Sequence, residues 1–149
     1  MKPVIVSTRC HRDPDSVYAF LDVLGNHECF NGHLMTDWAL SGPATGLGAK
    51  ATALASMAGR REPVEIEVIE TTVATTIVAR HVSHDGERVA TGTYRIAPDS
   101  DGGAQVTFEY VWQHAPRAER LAAPLVRAQM RRALQRSLDR LAQELSEHP

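Results

Sequence analysis

Cysteine is scarce in this 149-residue chain, and Cys10 and Cys29 are too few for a disulfide scaffold. No segment approaches the ~20 apolar residues of a membrane-spanning helix, and the apolar run at the N-terminus is too short for a signal peptide. A large charge of one sign is also lacking, because the formal net charge is only -2. We therefore expect a cytoplasmic protein with free thiols, without a membrane span and without nucleic acid as a partner.

Motifs for metals and phosphates are missing as well. His81 and His84 are three residues apart, and on a strand such residues point to opposite faces, so they cannot easily share a metal ion. Gly42, Gly46 and Gly48 are followed neither by Lys-Ser/Thr nor by the helical pattern of a phosphate-binding loop. We therefore expect no metal and no cofactor.

The composition that is present is that of a folded protein, with 43% hydrophobic and 23% charged residues, and it predicts one domain spanning residues 1–149. Asp13 as N-cap and Pro14 in the first turn predict a helix that ends at Gly25-Asn26, followed by a short helix or turn over 26–31. Alternating or β-branched segments predict strands over 4–10, 34–40, 49–58, 63–71, 75–83, 89–96 and 104–114.

After Pro116 the hydrophobic period changes to 3.6 residues and continues to about Glu147. Since proline interrupts a helix, we place the regular helix from about Pro124. Its apolar stripe comprises Val126, Met130, Leu134, Leu138, Leu141 and Leu145. The order of elements predicts an α+β fold of the helix-grip type. In this fold a curved antiparallel sheet of about seven strands surrounds a long C-terminal α-helix, with one or two short helices after strand 1.

Several local phrases carry a resemblance to a known family. They are VYAFLD at 17–22, LSGPATGLG at 40–48, TGTYRIAP at 91–98 and the leucine spacing of the last helix. The chain resembles the START-like superfamily, also called SRPBCC, and is most similar to its bacterial polyketide cyclase/dehydrase-like branch. The resemblance implies the helix-grip fold. It implies no single activity, because the fold serves carriers, sensors and enzymes, and it supplies no catalytic motif to transfer.

Alternation along the strands predicts an inner sheet face that is apolar and aromatic with a few polar groups, as in small-molecule cavities. Ala49, Ala51, Ala53, Ala55 and Ala79 are too small to fill the space between a bent sheet and a helix, so we predict a cavity there. The predicted ligand-binding residues are Trp38, Met57, Ile66, Val68, Ile77, His81, Tyr94, Phe108, Tyr110, Trp112, Met130 and Leu134.

Candidates for acid/base chemistry are His81 with Tyr110 or Glu70, all predicted on the inner face together with His114. A buried Glu70 would resist ionisation, which suits a catalytic acid. The alternatives are that Glu70 is solvated at its strand end and that His81 is a core residue with a single hydrogen-bond partner.

Two features are candidates for the rim of the cavity. The loop containing Gly42, Gly46 and Gly48 is predicted at the cavity mouth, and the resemblance to hormone-receptor relatives implies that it acts there as a gate. The arginines of the last helix are predicted to form a solvated face. Alternatively, Arg127 and Arg131, at the margin of the helix stripe, would meet an acidic ligand head at the rim.

The leading functional hypothesis is the binding of a hydrophobic or aromatic small molecule, of the lipid, polyketide or isoprenoid type, between the sheet and the C-terminal helix. The first alternative is a polyketide cyclase- or dehydratase-like enzyme that uses the acid/base residues of the cavity. The second is a regulatory interaction module. A monomer or a homodimer is expected.

Overall fold

A single curved sheet of seven antiparallel strands organises the residues that the computed structural model describes, 1–57 and 59–147. The spatial order is β1-β7-β6-β5-β4-β3-β2, so β2 to β7 form a meander and β1 pairs with β7. The strands are β1 (Val4–Cys10), β2 (Met35–Ser41), β3 (Lys50–Met57), β4 (Arg60–Thr72), β5 (Thr76–Ser83), β6 (Arg88–Pro98) and β7 (Ala104–His114).

The helices are α1 (Pro14–Asp22), α2 (Glu28–Asn31), α3 (Arg117–Leu121) and α4 (Ala123–Glu147), with a 3₁₀ turn at Leu24–His27. The predicted N-cap is confirmed, because the Asp13 carboxylate accepts hydrogen bonds from the Ser16 backbone N–H at 3.2 Å and the Ser16 hydroxyl at 2.6 Å. Ala122 separates α3 from α4, so the predicted break before Pro124 is also confirmed.

Helix α4 covers the concave face of the sheet with its apolar stripe. Leu138 and Leu141 are essentially inaccessible to solvent, and burial of each such side chain contributes roughly 1.5–3 kcal/mol. The ends of the stripe are less uniform, since Val126 is only partly buried. Together these features give the helix-grip fold that the sequence predicts.

A β-bulge in β4 changes which side chains face the helix. Val68 pairs with Ala79, but the next paired residue of β4 is Glu70, which pairs with Val78. Ile69 is therefore an extra residue in this strand, and the alternation of faces shifts by one position after it. Val64, Ile66 and Val68 face inward as predicted, and Glu70 does not.

Candidate functional site

Between the sheet and α4 lies a pocket, here called the inner pocket, with walls that are mainly apolar. Residues of β2 to β7 form one side, and α2, α4 and the 3₁₀ turn form the other. Its apolar and aromatic lining is Leu24, Leu34, Met35, Trp38, Ala55, Val64, Ile66, Val68, Ile77, Ala79, Gly92, Tyr94, Phe108, Tyr110, Met130, Leu134 and Leu138.

The inner pocket is small. The space open to the centre of a water-sized sphere is about 80 Å³. If that space is compact, widening it by the ~1.4 Å radius of the sphere gives on the order of 300 Å³, the lower end of the range for ligand pockets. At the packing density of protein interiors, this accommodates roughly ten to fifteen non-hydrogen atoms.

Gly92 on β6 leaves room for two aromatic rings at one wall of the pocket. A Cβ atom at this position would lie 2.6 Å from Cζ of Phe108 and 3.1 Å from Nε2 of His81. The missing side chain therefore allows the two rings to approach the sheet backbone. Any larger residue here would displace one of them.

His81 is the imidazole that borders the pocket from β5. Its ring lies 6.0 Å from the Tyr110 ring in an edge-to-face arrangement, measured between centroids. Within the described residues its ring nitrogens have no hydrogen-bond partner. Burial, with a smaller contribution from the nearby His27, lowers the pKa of His81 from 6.5 to about 4, so the ring is neutral at pH 7.

The tyrosines of the pocket differ in their partners. Burial raises the pKa of both Tyr94 and Tyr110, so both hydroxyls stay protonated near neutral pH. The Tyr94 hydroxyl interacts with the side chain of Asn31, whose amide also donates to the His27 carbonyl at 3.0 Å. The Tyr110 hydroxyl has no such partner in the ranges that the structure describes.

A charged cluster, here called the Arg88 cluster, closes one part of the pocket. The Arg88 side chain is 6% exposed and donates to both oxygens of Glu119, to Glu62 and, at 2.7 Å, to the Ser83 hydroxyl. Glu62 also accepts from His84 at 3.0 Å. Hydrogen bonds from Arg88 and His84 outweigh desolvation and lower the pKa of Glu62. The cluster joins β4, β5 and β6 to α3, and its own carboxylates neutralise the positive charge of Arg88.

Known proteins share this architecture. A family model described as "Polyketide cyclase / dehydrase and lipid transport" matches residues 3–146. The chain belongs to this family. The resemblance noted in the sequence is thereby confirmed, and the family description agrees with the binding of a hydrophobic ligand. No curated protein matches the sequence.

Solved structures with the same fold have little sequence in common with this family member. TTHA0849 from Thermus thermophilus is 17% identical, with a TM-score of 0.75 over 98% of both chains. The major latex-like protein 151 of Panax ginseng is 14% identical, with a TM-score of 0.61, and the match covers 90% of this chain and 95% of that one. CV1439 from Chromobacterium violaceum is 20% identical, with a TM-score of 0.66 over 96% of both chains. At these identities the likeness concerns the fold alone.

Most of the residues predicted for ligand binding line the inner pocket of this family member. Trp112 is buried but lies outside the lining. Its ring packs 4.8 Å from that of Tyr110, and its indole N–H has no hydrogen-bond partner within the described chain. Met57 ends β3, and its side chain lies outside the described part of the structure. The ten that line the pocket are Trp38, Ile66, Val68, Ile77, His81, Tyr94, Phe108, Tyr110, Met130 and Leu134.

The predicted set of acid/base residues is only partly brought together. His81 and Tyr110 meet at the pocket, but Glu70 is exposed and does not line it, because the bulge at Ile69 turns the strand. The prediction that Glu70 faces inward is therefore wrong. His114 is also exposed, and its Nδ1 lies 2.6 Å from the Glu87 carbonyl.

The predicted position of the glycine loop at the mouth of the cavity is not observed. Gly42, Gly46 and Gly48 do not line the pocket. The loop instead lies against the end of α1 and β4, where the Gly46 N–H donates to Asp22 at 3.1 Å and the Gly48 N–H to the Val68 carbonyl at 2.9 Å. The three glycines adopt φ angles of 74°, 75° and 89°, which explains the residue type without a gating role.

A surface groove, here called the outer groove, adjoins the pocket instead. It lies between the α2–β2 connection, β3 and α4, and Leu34 and Met130 line both the groove and the inner pocket. The pocket and the groove therefore meet at these two residues. The remaining residues of the groove are His33, Ser56, Gln129, Arg132, Ala133 and Arg136.

The two arginines considered for the rim of the cavity do not lie at the inner pocket. Arg127 donates to the carbonyls of Lys2 at 2.9 Å and Pro3 at 2.8 Å, which directs it toward β1, and Arg131 is exposed. Neither lines the inner pocket, so the alternative in which they meet a ligand head at its rim is wrong. Among the alanines expected to leave space, only Ala55 and Ala79 line it.

Sequence reasoning missed the polar residues that other elements bring to the pocket. Arg88 precedes the strand predicted over 89–96, and His27 and Asn31 lie in the short helix or turn predicted over 26–31. Alternation along the strand could have identified Arg88 as an inward-facing residue, because Arg88, Ala90 and Gly92 share one face. Within the described ranges no group of three or more His, Cys, Asp or Glu side chains is arranged to hold a metal ion. No helix in those ranges has the length and apolar character needed to cross a membrane.

Proposed function

We propose that this protein binds a hydrophobic or aromatic small molecule of the lipid, polyketide or isoprenoid type in the inner pocket. The observation that carries the proposal is the pocket itself, a space between sheet and α4 with walls of aliphatic and aromatic side chains. Transfer of an apolar molecule from water into such a space is favourable by roughly 25 cal/mol per Å² of buried apolar surface.

The volume of the pocket restricts the ligand further. Room for roughly ten to fifteen non-hydrogen atoms suits a one- or two-ring compound or a short isoprenoid. A full-length lipid or an extended polyketide chain would need the pocket to widen or would have to leave part of its length in the outer groove. The volume of the pocket therefore supports the binding of compact ring compounds best.

A thermal-shift and native mass spectrometry screen with naphthalene-sized compounds tests the proposal. A binding compound raises Tm and appears as a one-to-one complex, because a ligand that prefers the folded state stabilises it. The blocking variant is Ala79→Leu, since Ala79 lines the pocket and its enlargement fills the space. The matched control is Ala97→Leu, on the exposed side of β6. Binding that survives in Ala79→Leu, or is absent in the wild type for every compact ring, would contradict the proposal.

An enzymatic role is the weaker alternative. The acid/base set required Glu70 beside His81 and Tyr110, and Glu70 faces away from the pocket. The interaction-module alternative required a surface suited to a partner, and no single observation favours one. Binding without chemistry is accordingly the function that we propose.

Three other expectations belong to the same proposal. We propose one domain over residues 1–149, a cytoplasmic location and a monomeric or homodimeric state. The free thiols of buried Cys10 and exposed Cys29 support a reducing compartment. Light scattering on the purified protein tests the oligomeric state, and a stable assembly larger than a dimer would contradict it.

A further inference from the structure

Two polar groups at the inner pocket are left without a protein partner. The imidazole of His81 and the hydroxyl of Tyr110 belong to rings whose centroids are 6.0 Å apart, so both lie in the same part of the pocket. Neither makes a hydrogen bond to another residue in the described ranges. A ligand atom that makes a hydrogen bond to such a group contributes about 0.5–1.5 kcal/mol to binding.

The other polar groups of the pocket are already occupied. The Tyr94 hydroxyl interacts with Asn31, and His27 Nε2 lies 2.7 Å from the Leu21 carbonyl. Ser137 donates to the Ala133 carbonyl at 3.2 Å. The unpartnered pair therefore stands out among the polar groups that line the described pocket.

The electrostatics of the pocket disfavour a charged ligand. Arg88 is its one lining cation within the described residues, and four hydrogen bonds to Glu62, Glu119 and Ser83 occupy its guanidinium. One cation with two carboxylates leaves the cluster with an excess of negative charge. His81 is neutral because burial lowers its pKa. An anionic group would thus lose its hydration without gaining a free cation.

From this geometry we infer that the ligand is an uncharged, compact ring compound with one hydroxyl group, seated so that the hydroxyl contacts His81 and Tyr110. This inference rests on the proposed function and specifies the chemical class of the ligand. A neutral imidazole offers one donor and one acceptor, and a tyrosine hydroxyl offers both. A ligand hydroxyl can donate to one group and accept from the other, whereas a carbonyl can only accept.

Four matched probes separate the possibilities, namely naphthalene, 2-naphthol, 2-naphthoate and 2-(aminomethyl)naphthalene. Isothermal titration calorimetry at pH 7.5 gives a Kd for each. A hydrogen bond contributes about 0.5–1.5 kcal/mol, so 2-naphthol should bind roughly two- to tenfold more tightly than naphthalene. The two charged probes should bind more weakly than naphthalene.

Variants assign the preference to the two residues. Tyr110→Phe removes only the hydroxyl, and His81→Leu replaces the imidazole by an apolar group of similar size. Each should reduce the affinity ratio of 2-naphthol to naphthalene toward one. The matched controls Tyr18→Phe and His11→Leu alter a tyrosine and a histidine that do not line the pocket, and they should keep the wild-type ratio.

The outcomes distinguish this inference from the proposed function. If none of the four probes binds, the proposed function fails for compact rings, and this inference fails with it. If naphthalene and 2-naphthol bind equally, or a charged probe binds best, the pocket is a binding site but the inferred ligand class is wrong. An unchanged ratio in both pocket variants would also overturn the inference.

Discussion

Replacing His81 by leucine should make the free energy of unfolding of this protein less sensitive to a decrease in pH. The half-buried imidazole projects from β5 beside Gly92 and Tyr110, where burial lowers its pKa to about 4. In the unfolded chain the same group titrates near 6.5. Between these two values the unfolded state binds a proton that the folded state does not, so protonation favours unfolding.

The magnitude follows from the difference between the two pKa values. One pKa unit corresponds to about 1.4 kcal/mol, so a change from 6.5 to about 4 corresponds to roughly 3 to 4 kcal/mol. The free energy of unfolding should be unaffected by this group above about pH 7. It should then fall as the pH decreases through 6.5 toward 4, with roughly 2 to 3 kcal/mol lost by about pH 4.5.

Urea titrations of the wild type, His81→Leu and the exposed control His11→Leu at several pH values between about 7.5 and 4.5 measure the effect. Other groups with lowered pKa, such as Glu62, contribute in all three proteins and cancel in the comparison. His81→Leu should lose about 2 to 3 kcal/mol less than the wild type over this range. An identical pH dependence in wild type and His81→Leu would refute the assignment of a neutral imidazole with a lowered pKa.

Two further predictions concern the Arg88 cluster and the route into the pocket. Arg88→Leu leaves two half-buried carboxylates without the Arg88 cation and should cost about 3 kcal/mol of unfolding free energy in urea, at the lower end of the range for a broken buried ion pair. The exposed pair of Arg80 with Glu67 should lose at most about 1 kcal/mol in Arg80→Leu, and equal losses would contradict this difference. Met130→Ala should raise both the association and dissociation rates of a bound ring compound in stopped-flow fluorescence, because Met130 lines both the inner pocket and the outer groove. Leu47→Ala in the glycine loop should change neither rate. Changed rates in Leu47→Ala with unchanged rates in Met130→Ala would indicate that the ligand enters at the glycine loop.

Much of the fold could be predicted because its signals are local and repetitive. Alternation predicted β7 over Ala104–His114 with its observed ends, and β1 over Val4–Cys10 likewise. The 3.6-residue period of α4 identified the face that covers the sheet. Alternation also placed His81 and Tyr110 toward a common interior, where they lie.

The errors arose where one residue changes the geometry of a long segment. The extra residue Ile69 reverses the facing of Glu70, and nothing in the run of β-branched and acidic residues around it distinguishes a bulge from a regular strand. The glycine loop has the composition of a flexible gate, but long-range hydrogen bonds to Asp22 and Val68 fix its position. Arg88 is buried because Glu62 and Glu119 converge on it from distant parts of the chain, which no local pattern reveals.

A crystal structure of the protein grown with saturating 2-naphthol tests most directly whether the space between sheet and α4 is a binding site. We expect the ring system between Ile66, Phe108 and Met130, with its oxygen within hydrogen-bond distance of His81 or Tyr110. A pocket closed by its own side chains, with the compound absent or bound only at the surface, would contradict this.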